Sequence, residues 1–314
     1  MSQINYILDT LEETILDKID LQIIRSLARD SRIPYSNLAS IVGISPNAVK
    51  ERVNKMKTQE IIQNFVTRVN PAIFGYQKQC FLTVRYIGKT INEENILTQM
   101  NLLGDVMIYA KQLGGHSIFI IAVRDGAEDK IGILVDLLKP ASVESMFTSY
   151  KPVSTKINIC DLKIISCLLL NPRMEIADIA KETSISTKTV TRRLEKMKDE
   201  HIVEFSISRN ISSMLLIGYI EFAVVMLVER ALYQNILERI FQEMDESLLT
   251  SSTNEREVIF AVFFCKNIAA IEAILTRLRS FDGIRRIDAF ITTKVIRYQD
   301  WLIREINKMM ANEK

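Results

Sequence analysis

The chain has 314 residues, enough for two ordinary domains or four small ones at ~150 residues per domain. Hydrophobic residues make up 48% and charged residues 25%, which excludes a mainly disordered chain, and 10 glycines with 6 prolines exclude collagen-like or linker-rich architecture. Forty basic residues against 38 acidic ones leave a formal charge of +2, so electrostatic attraction to a partner has to be local.

The first residues, MSQINYILDTLEETILDKID, are acidic and lack the basic start and apolar core of a signal peptide. The longest nearly apolar run, 214–228, contains Glu221 and falls short of the ~20 residues that span a bilayer. Cys80, Cys160, Cys167 and Cys265 show no C-x-x-C spacing, and only His116 and His201 accompany them. A metal site is therefore not expected, and the thiols read as buried apolar groups in a reducing compartment. The expectation is a cytoplasmic prokaryotic protein with no membrane contact and no cofactor.

In chain order, a short N-terminal helix precedes Leu16. The stripe Leu16, Ile19, Ile23, Ile24 and Leu27 predicts an amphipathic helix. Ser36, Leu38, Ala39, Ile41 and Val42 predict a second, stopped by Gly43. Ser45-Pro46 opens a third, with Ser as cap, Pro at the first position and Val49, Val53 and Met56 as buried stripe. The segment 61–69 alternates and reads as a two-stranded wing. The period then changes. Strand 81–86, helix 93–103, strands 106–113 and 117–124 joined across Gly114-Gly115, helix 127–138 and strand 143–150 follow. That βαββαβ order is the ferredoxin-like arrangement.

The chain then repeats. Residues 20–61 align without a gap on 161–202, and fifteen of the 42 pairs are identical, Asp20/Asp161 and Arg52/Arg193 among them. The second copy continues with strand 220–228, helix 233–244, strands 248–252 and 258–265, helix 269–278 and strand 286–293. A last amphipathic stretch, 298–310, carries Trp301, Leu302, Ile306, Met309 and Met310. It is expected to cap the second repeat, with oligomerisation as the alternative. The fold class is thus α+β. Two tandem units each hold a winged helix-turn-helix (1–75 and 156–214) and a βαββαβ module (76–155 and 215–297), and a C-terminal helix (298–314) follows.

Groove reading needs an exposed, basic third helix. Lys50, Arg52, Lys55 and Lys57 against Glu51 give 45–57 a net +3. Lys188, Arg192, Arg193, Lys196 and Lys198 against Glu195 give 186–198 a net +4, so the rest of the chain is net negative. Basic side chains so placed neutralise phosphates of double-stranded DNA and release counterions. The buried stripes aim Asn47, Lys50, Glu51 and Asn54 outward in one copy, and Lys188, Thr191, Arg192 and Glu195 in the other. Ser45 and Ser186 start the two helices and are expected among the DNA contacts. Arg52, Lys55, Lys57, Arg193 and Lys196 flank the reading faces and are expected on phosphates. In the wings, Arg68 and Arg209 read equally as phosphate grips or solvated charges.

These residues resemble the Lrp/AsnC (leucine-responsive, feast/famine) regulators. The matching pattern is Leu16-Asp17, Asp20, Arg32-Ile33, Leu38-Ala39, Val42-Gly43-Ile44-Ser45, Val49, Arg52-Val53, Pro71 and Gly75. The resemblance implies a transcription regulator whose βαββαβ parts are ligand-binding and dimerisation modules of the dimeric α/β-barrel type (RAM domains). It also implies an amino-acid-like effector at a Gly-x-x-Asp hairpin between the second and third module strands. The first module has Gly114, Gly115, His116 and Ser117 there, without the carboxylate; the second has lost the glycine and keeps Glu257 nearby. Glu60 and His201 stand where the family has glycine before the wing.

Family members carry one unit per chain. Two fused units imply an internal pseudo-dimer, open to further homo-oligomerisation, with unlike half-sites about one helical turn (~34 Å) or a multiple apart. Two alternatives compete. One is an interaction or architectural protein with one degenerate head, since 157–212 nets +1 against +4 for 16–70. The other is a tetrapyrrole decarboxylase-like enzyme, for which the chain lacks an aromatic–histidine cluster. No catalytic residue is assigned.

Overall fold

The computed structural model describes residues 16–86, 93–150, 152–154, 156–245, 247–252 and 257–312. The helix expected before Leu16 lies outside the described residues. The first repeat runs α1 (Lys18–Arg29), α2 (Tyr35–Val42), α3 (Pro46–Thr58), β1 (Ile62–Val69), β2 (Lys78–Arg85), α4 (Glu93–Met100), β3 (Gly104–Gln112), β4 (His116–Val123), α5 (Ile131–Leu137) and β5 (Ser142–Ser149). The second runs α6 (Ile159–Leu170), α7 (Ile176–Thr183), α8 (Thr187–Asp199), β6 (Val203–Arg209), α9 (Ile211–Leu216), β7 (Ile220–Val228), α10 (Tyr233–Glu243), β8 (Ser247–Ser252), β9 (Val258–Cys265), α11 (Ile268–Arg279), β10 (Ile284–Arg297) and α12 (Asp300–Asn312).

The two three-helix heads begin alike. Asp17 accepts from the Asp20 amide at 2.8 Å while the Asp20 carboxylate accepts from the Asp17 amide at 3.2 Å. Asn158 and Asp161 repeat this reciprocal cap at 3.2 and 3.1 Å. The turn after the second helix needs a left-handed residue. Gly43 supplies it at φ +74°, and Ser184 adopts it at φ +56°. Glu60 and His201 are left-handed too, at +55° and +54°, which explains why glycine suits that position. Residues 61–69 do not form the expected two-stranded wing. They contain no glycine or proline to turn the chain, so they extend as the single strand β1, which pairs with β6.

Each module has the ferredoxin-like strand order. In the first, the order is β5-β2-β4-β3, with Cys80 opposite Ile121 on one side and Phe147 on the other. A side chain at Gly104 would sit 2.1 Å from the Ala122 carbonyl oxygen, so only glycine lets β3 approach β4 there. In the second, the order is β10-β7-β9-β8. β10 outruns the predicted 286–293: Lys294–Arg297 continue against β3, with Ile296 opposite Tyr109.

The chain forms two compact units that do not coincide with its two repeats. The first combines residues up to Thr67 with Phe205–Ser251 and Ile259–Ala289. It therefore joins the head of the first repeat to most of the module of the second. Its core packs Ile23, Ile24, Leu27, Val49 and Val53 with Ile207, Met214, Tyr219, Val262 and Phe264. Arg25 adds a polar bond there, donating to Asp245 at 2.7 Å and to the Phe241 and Met244 carbonyls that end α10 at 2.7 and 3.1 Å. The second unit combines Arg68–Glu204, Ser252–Val258 and the stretch from Phe290 onward.

The C-terminal helix α12 belongs to the second unit, where it packs on α6 of the second repeat's head and also on the module of the first repeat, a partner not expected for it. Trp301 packs edge-on against Phe74 and Tyr76, ring centroids 6.1 and 5.8 Å apart. Arg304 pairs with Asp105 at 2.6 Å, and Glu305 with Arg124 at 3.1 Å. These side-chain partners are in the first repeat, so α12 covers its module while also touching α6. Among the described residues no helix is long and apolar enough to cross a membrane.

Candidate nucleic-acid interface

α3 and α8 are held by their buried stripes. Val49, Val53 and Met56 are at most 1% exposed, and Val190, Leu194 and Met197 at most 5%. Burying such a stripe fixes the helix rotation, and the opposite face must then meet solvent. Asn47, Lys50, Glu51, Asn54, Lys55 and Lys57 are exposed on α3; Lys188, Thr191, Arg192, Glu195 and Lys196 are exposed on α8. Ser45 and Ser186 are exposed as well, but their hydroxyls accept from the Ala48 and Thr189 amides at 3.2 Å and so serve as caps. The Thr191 hydroxyl bonds the Thr187 carbonyl at 3.0 Å.

The flanking arginines are not free for phosphates. Arg52 Nη1 reaches Asp17 at 2.7 Å and Asp20 at 2.8 Å. Arg193 Nη1 meets both oxygens of Asp161, at 2.9 and 3.0 Å. Each arginine therefore ties its reading helix to the cap of its head's first helix. Bonding to Asp20 and then Asp17 holds Arg52 more firmly charged than usual. Asp17 is pulled up by burial, but the Asp20 amide and Arg52 outweigh this and leave its carboxyl below the ordinary range. Sequence reasoning placed these arginines on DNA; their identity in both repeats, together with that of Asp20 and Asp161, was the signal for the clamp.

The wing arginines also have partners inside the protein. Arg209 forms a buried pair with Glu221 at 2.9 Å, both side chains 6% exposed. Arg68 faces Glu204 at 3.9 Å. Lys57 lies 5.6 Å from the Phe65 ring, and Lys196 lies 3.9 Å from Glu200. Among the described residues Lys50, Lys188 and Arg192 have no ion-pair partner, so the cations central to each face stay available.

The effector candidates are only partly assembled. Gly114 and Gly115 are exposed at φ +84° and +80°. His116 starts β4 with its ring 6.3 Å from Phe290. Ser117 is 1% exposed, its hydroxyl 3.4 Å from that of Tyr109, so it points into the core. Glu257 is exposed just before β9; residues 253–256 of its hairpin lie outside the described ones. No His/Cys/Asp/Glu group that could hold a metal occurs among the described residues.

Two capped, basic third helices on ferredoxin-like modules define a helix-turn-helix DNA-binding protein. The AsnC-type helix-turn-helix domain matches residues 16–57, and the winged helix-turn-helix DNA-binding family matches 157–204. An HTH-type transcriptional regulator of Pyrococcus abyssi is 28% identical over 135 residues, 43% of this chain and 84% of that protein. Regulatory protein AsnC of Haemophilus influenzae is 28% identical over 105 residues, 33% and 69% of the two chains. The transcriptional regulator LrpA of Mycobacterium tuberculosis is 35% identical over 69 residues, 22% and 46%. The chain is thus similar to Lrp/AsnC regulators, and it carries two helix-turn-helix domains in tandem. The solved siroheme decarboxylase NirDL shares its fold, with a TM-score of 0.50, over 94% of this chain and 99% of that one, at 14% identity.

Proposed function

We propose that the chain is a sequence-specific transcriptional regulator that reads double-stranded DNA through both heads. The observation that carries this is the free polar face of each reading helix: Asn47, Lys50 and Asn54 on α3, Lys188 and Arg192 on α8. The neighbouring arginines are spent on holding those helices in place. Lys55, Lys57 and Lys196 take phosphates, and an internal pair of units replaces the dimer of one-unit relatives. The test is affinity for a bound genomic duplex in Lys50→Ala and Arg192→Ala, made separately. Both lose affinity when both heads bind; loss in only one establishes a degenerate head. Each contributes a salt-dependent share, so binding weakens steeply with salt.

We read the modules as sensors without an enzymatic role. Their fold is shared with a siroheme decarboxylase, but the chain's two histidines stand on separate elements, at the start of β4 and before β6. Adding an iron uroporphyrin should leave its absorbance spectrum unchanged; a bound-haem spectrum overturns the reading. For the effector, an amino acid's ammonium needs a carboxylate, and of the two candidate hairpins Glu257 offers the exposed one. A thermal-shift screen of amino acids checks this, and Glu257→Gln should abolish any shift found.

A further inference from the structure

The four outward positions of the reading helices differ at every pair. Equivalent positions, 141 apart, hold Asn47 and Lys188, Lys50 and Thr191, Glu51 and Arg192, Asn54 and Glu195, all exposed. Three of these pairs change charge sign or introduce a charge where the other helix has an amide. The clamped arginines and the capping serines do not compete for this role, since their polar groups are bonded inside the head. The donor–acceptor pattern of the major groove then assigns bases. A carboxamide matches adenine N6 and N7, a guanidinium or ammonium matches guanine O6 and N7, and a carboxylate accepts from cytosine N4. α3 presents two carboxamides; α8 contains neither Asn nor Gln. The Thr191 hydroxyl is held by its own helix.

We infer that the two heads read half-sites of unlike base composition: α3 selects a mixed half-site, with two A·T pairs through Asn47 and Asn54 beside G·C pairs at Lys50 and Glu51, and α8 selects one built of G·C pairs through Lys188, Arg192 and Glu195. This rests on the regulator reading above and adds what each head recognises. At Glu51 and Arg192 the same position turns from a cytosine reader into a guanine reader. The two half-sites are therefore distinct in composition as well as order, and the chain binds its site in one orientation only.

The experiment is selection of duplexes from a random pool at near-physiological salt, using the full chain and its Asn54→Ala and Arg192→Ala variants. Both substitutions are on exposed positions, and melting curves verify that the variants fold. The expected result is a bipartite motif with one half holding two A·T positions and the other only G·C. N54A relaxes one A·T position, R192A relaxes one G·C position, and each weakens binding to the selected site roughly tenfold. A motif of two like halves, a single half, or relaxation in the opposite half overturns the inference and leaves the DNA reading standing. No enriched motif overturns the DNA reading itself.

Discussion

Arg193 and Asp161 illustrate how a charged residue can belong to the fold when its surroundings suggest a ligand. Asp161 is 4% exposed, so deleting its partner strands a buried charge. Arg193→Ala should destabilise the second head by about 3 kcal/mol. Arg52→Ala should cost less, about 1–2 kcal/mol, because Arg52 is a third exposed and Asp17 half exposed, while its other partner, Asp20, is 15% exposed. Urea unfolding of both variants ranks them. The left-handed residues give a prediction of opposite sign. A non-glycine residue there costs about 1–2 kcal/mol, and glycine returns about 0.5–1 kcal/mol of that as entropy lost on folding. Ser184→Gly and His201→Gly should each stabilise by about 0.5–1 kcal/mol, read as a higher urea midpoint. At this scale the sequence was legible wherever a residue type has one use, as with Gly43 or the capping serines. It misled for Arg52 and Arg193, because a guanidinium binds a phosphate and a carboxylate by the same geometry.

Most helices and strands were legible from period alone, since a buried face imposes 3.6 or 2 residues per repeat whatever the partner. The partner itself was not legible. The stripe of α12 announced a packed helix, yet nothing in it distinguished the second module from the first. β1 shows the same limit: its alternation was clear, but its partner strand lies about 140 residues away. The docking of α12 can be tested through Trp301, the single tryptophan. Beside it, burial and then a bond to Asp105 push the Tyr76 hydroxyl from 10.0 up to about 12. A raised value means the neutral phenol is favoured in the fold. The contribution is complete below pH 10 and is lost as pH rises towards about 12. Trp301 emission should therefore shift to the red across that window. In Tyr76→Phe the step should vanish, whereas a step that persists places its cause elsewhere.

At the scale of the molecule, the fold of each module and head followed from the sequence, whereas the pairing of heads with modules did not. The first compact unit draws on both repeats, so neither repeat contains all the surfaces it needs. A chain cut to 1–155 should expose Ile23, Leu27 and their neighbours where Tyr219, Val262 and Phe264 cover them. Light scattering should show it self-associated, and mixing it with 156–314 should restore a discrete species. A well-behaved monomeric 1–155 would refute the exchange. That exchange also bears on biosynthesis. The first head is fully synthesised once Thr67 is added, but its unit closes only at Ala289, about 220 residues later. At ~5–20 residues per second this is a wait of roughly 10–45 s. During that interval the nascent head carries an uncovered apolar flank, which makes it a client for ribosome-associated chaperones and makes every prematurely terminated product an aggregation hazard.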